Sequence, residues 1–429
     1  MAKRAKFQTP TGMHDILPED QSYFRRIYEV VEKIADFYSF GKIDTPILEQ
    51  AELFSKGIGL DTDIVQKEMF TFRTKGGDIL SLRPEGTAPV VRAYLEKGML
   101  NLPQPVKLWY FGPFFRYEKP QAGRFRQFWQ FGLEALGDPS PVVDAQIIQI
   151  FYNILSDLKL KNLLVEINTI GDSQCRPYYK KLLKSYLHSR ERSLCADCRR
   201  RYKTNPLRIL DCKQEKCQRI MSQVPQMVDH LCDNCHQHFK ETLEFLDEAE
   251  IPYYLNPYLV RGLDYYTKTV FEIVEQSPDG EKLGSLVGGG RYDGLAKILG
   301  NKNVFAMGGA AGIERIVAAM KEQKITSHQS PAPKIFLAQI GKLAKRKSLK
   351  LFEEFRKANI SITESFGRDS LRAQMAKANK QGVNYGLILG QKETLEGTII
   401  IRDMNTGKQK IVKLDRVVAE MKKMLGGSN

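Results

Sequence analysis

The stretch VKLWYFGPFFRYEKPQAGRFRQFWQFGLEALG, Val106 to Gly137, constrains the fold more than any other part of the chain. Two runs dense in aromatic and β-branched residues flank a polar loop containing Gly123, which is the pattern of two antiparallel strands joined end to end. Other segments repeat the signal. MFTFRTKGGDILSLRP alternates on both sides of Gly76-Gly77 and reads as a hairpin. From Tyr253 onward, YYLNPYLVRGLDYYTKTVFEIVEQ, a turn at SPDGEKLG and SLVGGGRYDGLAKILG read as further strands, and MGGAAGIERIVAAM as a glycine-rich helix start. Helical spacing appears at Phe24, Ile27, Val30, Val31 and Ile34, ahead of a strand in SFGKIDTPILEQ, and again in DAQIIQIFYNILSDLKL. The expected class is therefore α+β, built on antiparallel strands with helices beside them.

With 429 residues, two or three domains are expected. The polar, cysteine-bearing helical stretch at about 172–250 reads as an insertion into the first domain, residues 1–325. KEQKITSHQSPAPK, with Pro331 and Pro333, marks the boundary, and strands alternating with helices over 332–429 predict a small α/β domain with a mixed sheet. Charge divides along the same line. From Lys334 to the end there are 20 Lys and Arg against 9 Asp and Glu, an excess of +11 out of a total of +15. A basic domain on a nearly neutral body suggests a polyanionic partner, since each neutralised phosphate releases counterions. No apolar run of about 18 residues is present to span a bilayer. The basic start MAKRAKFQTPTGMHD lacks the apolar core of a signal peptide, so a cytoplasmic protein without a membrane partner is expected.

Six of the seven cysteines follow C-x2-C-x13-C-x4-C-x14-C-x2-C from Cys195 to Cys235, with Cys175 apart. Cys195, Cys198, Cys232 and Cys235 could supply four thiolates to a structural Zn2+, with Cys212 and Cys217 left over or replacing one pair. Seven reduced thiols in a helical insertion are the alternative. His236 and His238 lie beside them on a polar helix and are expected to be solvated, and His14 is expected to be structural.

Arg116 ends an aromatic strand, Arg124 and Arg126 sit on the loop after it, Arg261 precedes a strand and Arg315 lies in a helix beside glycines. Arginines at strand mouths, together with Gly288 to Gly290 where backbone can approach a ligand, suit a triphosphate, because guanidinium binds phosphate oxygens in two-pronged fashion and stays charged when partly buried. There is no Gly-x4-Gly-Lys-Ser/Thr loop, which excludes a P-loop site.

TPILE around Pro46, FRYEKPQAGRFRQFWQFGLEALG and GGAAGIERI resemble, in order, motifs 1, 2 and 3 of the class II aminoacyl-tRNA synthetases. RGLDYY, SLRPEGTA and GGGRYDGL look like the histidyl-tRNA synthetase family in particular, and the likeness runs from TPTGMHDILP to IIIRDMNTGKQ. That resemblance implies a core antiparallel sheet of six or seven strands with flanking helices, the substrates ATP, carried with Mg2+, L-histidine and tRNA(His), a histidyl-adenylate intermediate, an anticodon-binding C-terminal domain and a homodimer formed through motif 1. By motif position, Arg261 and Arg116 would be catalytic, against the α-phosphate and the histidine carboxylate. Arg315 would meet the γ-phosphate, and Arg124 and Arg126 ATP and the tRNA end. Glu85, Gly86 and Thr87 would receive the α-ammonium, with Gln130 near it. Glu134, Tyr265 and Tyr266 would form the imidazole pocket, and Asp264 could hold Arg261. The chain has Gly308-Gly309-Ala310 where the family's motif 3 usually has a bulky residue at the middle position. The alternative is a catalytically inactive synthetase-like regulatory subunit of histidine biosynthesis. Such chains tend to lose these arginines and the C-terminal domain, and both are present here.

Overall fold

The computed structural model describes residues 7–119, 123–277, 279–327, 334–367 and 370–426, and the chain forms two units, 1–328 and 329–429. The first begins with α1 (Pro18–Phe37), β1 (Gly41–Lys42), β2 (Leu48–Gln50), α2 (Ala51–Ile58), β3 (Thr71–Arg73), β4 (Ile79–Leu82) and α3 (Thr87–Glu96). The aromatic pair β5 (Val106–Phe115) and β6 (Gln127–Leu136) follows, then α4 (Pro141–Asp157) and β7 (Leu163–Thr169). Helices fill the next stretch: α5 (Arg176–His188), α6 (Ala196–Thr204), α7 (Glu215–Met221) and α8 (Asp233–Glu248). The unit closes with β8 (Tyr253–Leu255), β9 (Thr267–Gln276), β10 (Lys282–Arg291), α9 (Leu295–Gly300), β11 (Ala306–Gly312) and α10 (Ile313–Glu322).

Eight strands form the main sheet in the order β1-β5-β6-β11-β10-β9-β7-β8. The central pairs are antiparallel as expected, but short parallel strands, β1 beside β5 and β8 beside β7, extend both edges and carry the sheet past seven strands. MGGAAG is not the start of a helix. It is strand β11, paired with β6 and β10, and the helix starts at Ile313. Strand glycines are used because β10 and β11 lie face to face at Gly289–Gly309 and Gly290–Gly308, where a Cβ on Gly289 would run into the Gly308 carbonyl.

The two faces of this sheet differ. On one, α1 buries Phe24, Ile27, Val31, Ile34 and Ala35 at helical spacing, and α4 and α10 join it over Trp109, Phe131 and Phe271. Each large side chain so buried contributes roughly 1.5–3 kcal/mol. Phe151 of α4 and Phe271 of β9 also fill the space beside Gly309, whose Cβ would meet them at 3.0 and 3.2 Å. The missing bulky residue of motif 3 is thus replaced on this face of the sheet by phenylalanines from neighbouring elements. The opposite face carries Tyr110, Tyr265, Tyr266 and Tyr292 beneath α2, α3 and α9, and there the polar groups collect.

The second unit is a five-stranded mixed sheet, β13-β12-β14-β15-β16, built from β12 (Ile335–Gln339), β13 (Ile362–Glu364), β14 (Tyr385–Leu389), β15 (Thr398–Asp403) and β16 (Gln409–Lys413). Its helices are α11 (Lys342–Lys357), α12 (Leu371–Lys380), α13 (Gln391–Glu396) and α14 (Val417–Gly426). Ile335 and Leu337 point into a cluster with Phe355 and Met421, while Phe336 and Ala338 point into another with Ala378. Helices cover both faces of β12, which explains its continuous apolar run. Within the stretch expected to hold the domain boundary, residues 328–333, Pro331 and Pro333 among them, lie outside the described residues.

Candidate active site

Three groups of side chains meet on the tyrosine face. The first is a closed network at the start of α3. Glu85 accepts the Thr87 and Ala88 amides at 2.7 and 2.9 Å, so its carboxylate faces the free N–H groups of the first helical turn. Tyr265 donates to the same carboxylate at 3.3 Å. Thr87 donates its hydroxyl to Glu134 at 2.7 Å, and Tyr292 donates to the other Glu134 oxygen at 2.6 Å. Glu134 is fully buried, and burial pushes its carboxyl up to about 8; burial also raises Glu85. The Tyr110 ring lies against Gly86 and Gly132, neither of which leaves room for a Cβ, and its buried hydroxyl has no hydrogen-bond partner among the described residues. Tyr265 and Tyr266 pack at 4.7 Å between ring centroids, and burial lifts the Tyr266 hydroxyl to about 12.

The second group centres on Arg261. Its guanidinium lies over Gly288, which again leaves no room for a Cβ, and pairs with Glu272 of β9. Lys282 bonds the other Glu272 oxygen at 3.4 Å. Burial alone would raise Glu272, but Arg261 and Lys282 outweigh it and hold the carboxyl below its usual range. Arg261 Nε is buried without a hydrogen-bond partner among the described residues. Asp264 does not hold Arg261. It accepts the Asn205 side chain at 2.8 Å and lies against Gly59, because the chain turns away after Gly262. The partner of Arg261 is instead the acid that alternation sends to the same sheet face as Gly288, its cross-strand neighbour.

The third group is the arginine set at the end of β5. Arg116 donates Nε to the Pro84 carbonyl at 2.8 Å, which brings it beside Glu85, and lies 5.4 Å from the Phe128 ring. Glu118 draws in Arg116 at 3.8 Å and Arg124 at 3.2 Å. Arg126 stacks on Tyr117 at 3.6 Å and bonds the Thr11 carbonyl at 3.3 Å. Arg315 donates to the Ser285 carbonyl at 2.8 Å, and its alkyl chain lies under Gly123; burial, then Arg124, lower its affinity for the proton. Gln130 sits on β6 between Gly112 and Gly312. Loop residues 120–122 lie outside the described residues. His14 packs on Phe125 of this loop at 4.1 Å.

The arrangement is a cationic rim beside a buried cluster of hydroxyls and protonatable carboxyls. Its chemistry suits an amino acid and a polyphosphate held side by side, with fixed cations aimed at charge that develops between them. Of the groups that complete it, Tyr110 and Glu272 carry no motif signature beyond position on alternating strands, whereas Tyr292 stands inside GGGRYDGL.

The cysteines sort differently from the expected four. Cys195 and Cys198 gather with Cys212 and Cys217, while Cys232 and Cys235 gather with Cys175 and Asp172. Cys212 and Cys217 thus replace the Cys232 and Cys235 pair beside Cys195 and Cys198, the arrangement the spacing also left open, and each C-x2-C opens a different helix, α6 or α8. His238 is not solvated. It is buried, bonds Asp144 of α4 at 2.8 Å, and shares that acid with the buried Arg291. Burial would raise Asp144, but Arg291 and His238 outweigh it and hold the acid below its usual range.

A largely antiparallel sheet with glycine-rich central strands, and arginines at the strand ends, loops and helix start around them, is the build of the catalytic body of a class II aminoacyl-tRNA synthetase. The profile described as Histidyl-tRNA synthetase matches residues 12–316, and the one described as Anticodon binding domain matches 334–424. A histidine–tRNA ligase of Dehalococcoides mccartyi is 43% identical over 98% of this chain and 100% of its own length. One from Halothermothrix orenii is 43% identical over 97% and 99%. The crystal structure of apo histidyl-tRNA synthetase from S. aureus superposes with a TM-score of 0.80 at 33% identity, covering 97% of this chain and all of that one. The chain belongs to the histidyl-tRNA synthetase family.

Proposed function

We propose that this protein joins L-histidine to tRNA(His) in two steps. In the first, a histidine carboxylate oxygen attacks the α-phosphorus of ATP, brought in with Mg2+; the bond to the β-phosphate oxygen breaks, leaving histidyl-adenylate and pyrophosphate. In the second, a hydroxyl of the tRNA's terminal adenosine attacks the activated carbonyl and AMP departs. The observation that carries this reading is the pairing of the buried hydrogen-bonded network of Glu85, Thr87, Glu134, Tyr265 and Tyr292 with the arginine rim beside it.

Arg261 and Arg116 neutralise charge at the α-phosphate and carboxylate, and Arg315 takes the γ-phosphate. Glu85, Gly86 and Thr87, with Gln130, receive the ammonium. Glu134 accepts from the imidazole with lone pairs its two hydroxyl partners leave free, and Tyr265 and Tyr266 flank the ring. A pocket built to bond both ring nitrogens leaves buried groups unpaired around an apolar amino acid, which supports discrimination of about 10^4. Arg124 and Arg126 meet ATP and the tRNA end, while the basic unit after residue 332 reads the anticodon, whose unpaired bases are open to direct contact.

Residues 1–325, with the insertion at about 172–250, serve as the catalytic domain and 332–429 as the anticodon-binding domain. Exposed Ile47, Leu48, Phe72 and Ile79 on and beside the small β2-β4-β3 sheet support a homodimer through that face. Among the described residues no helix is long and apolar enough to cross a membrane, in keeping with a cytoplasmic enzyme. Retention of all three site arginines and near-complete identity coverage against named ligases favour an active enzyme over a regulatory subunit. The test is transfer of labelled histidine to tRNA(His) in the presence of ATP: charging that depends on both supports the reading, and histidine binding without charging overturns it.

A further inference from the structure

All seven cysteines fall into the two groups above, and none forms a disulfide. Within each group the ligand atoms lie within 4.8 Å of one another. In the first, Cys195 Sγ and Cys212 Sγ are 3.9 Å apart. Four sulfurs at about 2.3 Å from a tetrahedral zinc are separated by about 3.8 Å, whereas a disulfide brings two sulfurs to about 2.0 Å. The spacing is that of ligands around one ion.

Backbone donors point at the same sulfurs. The Cys195 amide donates to Cys217 Sγ at 3.3 Å and the Cys198 amide to Cys195 Sγ at 3.4 Å. In the second group the Asp172 amide donates to Cys175 Sγ at 3.4 Å, and the Gln174 amide fixes the Asp172 carboxylate at 2.9 Å. Such outer donors orient ligands and stabilise thiolate charge.

The surrounding fold also needs the tie. Of the nine residues of α6 only Cys198 is buried, so this helix has no apolar face with which to dock. α7 buries Cys217 and Met221 alone. The second group joins the start of α5 to the start of α8, clamping the entrance of the helical insertion to the beginning of its last helix. Arg176, next to Cys175, donates to the Tyr266 carbonyl at 2.7 Å and ties that clamp to the segment leading into β9.

We propose that the insertion holds two separate structural zinc ions, one on Cys195, Cys198, Cys212 and Cys217, the other on Asp172, Cys175, Cys232 and Cys235. Sulfur-rich tetrahedral sets of this kind select zinc among the common divalent ions. With four protein ligands each, neither site has an open position for catalysis. The proposal is independent of the enzymatic reading.

The test is metal analysis of the untagged full chain purified without chelator, followed by zinc titration of any metal-free material. About two zinc ions per chain are expected, with an X-ray absorption shell dominated by sulfur at about 2.3 Å. Cys198→Ser and Cys217→Ser should each remove the first ion only, and Cys175→Ser and Cys235→Ser the second only. A chain that holds one ion or none after titration, or variants from both groups that lose the same ion, would overturn the two-site assignment. Should the variants fail to fold, mercurial titration of the wild-type chain decides: release of two zinc ions as the seven thiols react supports it, and seven thiols reacting with no zinc released contradicts it.

Discussion

At the scale of single residues, the account turns on Arg261 and Glu134. Arg261 is held over Gly288 by Glu272, an acid that also keeps Lys282, so removing the arginine does not strand Glu272 without a cation. Arg261→Ala should therefore fold, retain most of its histidine affinity and lose about 10^2–10^3 in the rate of adenylate formation, the usual cost of deleting one fixed charge-stabilising group. Equal rates in wild type and variant would remove it from the reaction. Glu134 makes a separate, pH-dependent prediction. Its folded pKa of about 8 stands above an ordinary 4.5, so between those values the folded chain keeps a proton that the unfolded chain releases. Stability through this group is complete below about 4.5, falls as pH rises, by up to about 1.4 kcal/mol per unit, and levels off above about 8. Glu134→Gln should flatten that decline in denaturant midpoints measured from pH 5 to 8 and raise the KM for histidine. An unchanged slope would show that the carboxyl is not buried as described.

At the scale of elements, the strand glycines of β10 do two different jobs, separated by the alternation of a strand. Gly288 faces the site, and a Cβ there meets the far end of the flexible Arg261 side chain; Gly289 faces the opposite way, toward the Gly308 carbonyl and the Phe271 ring. Gly288→Ala should displace the guanidinium and lower adenylate formation with little change in unfolding temperature. Gly289→Ala must push backbone apart and should cost about 1–3 kcal/mol of stability. Identical behaviour of the two variants would contradict the facing assignments. Much of this was readable in the sequence, since β5, β6, β9 and the hairpin at Gly76-Gly77 announce themselves by aromatic or alternating pattern. MGGAAG did not, because glycine carries no side chain to alternate and strand pairing overrides its weak local preference. The short edge strands β1 and β8 fall inside stretches that read as strands, SFGKIDTPILEQ and the run from Tyr253, but nothing local in so few residues announces their parallel pairing. Motif positions located the arginines and Glu134, but the pairing of Arg261 with Glu272 rather than Asp264, and the sorting of Cys212 and Cys217 with Cys195, depend on how distant segments cross.

At the scale of the whole molecule, the division of labour follows charge and core. Each unit has its own apolar clusters, and the excess of +11 lies from Lys334 onward, where a polyanion would be bound, while the body before it carries +4. Chemistry on a small amino acid and a nucleotide should then require only the groups of the first unit, with tRNA absent. The most direct measurement is the exchange of labelled pyrophosphate into ATP by the full chain without tRNA, run with each of the twenty amino acids in turn. Exchange with histidine alone is the predicted result; no exchange with any amino acid, from a folded protein that binds histidine, would contradict the account and point to a regulatory subunit.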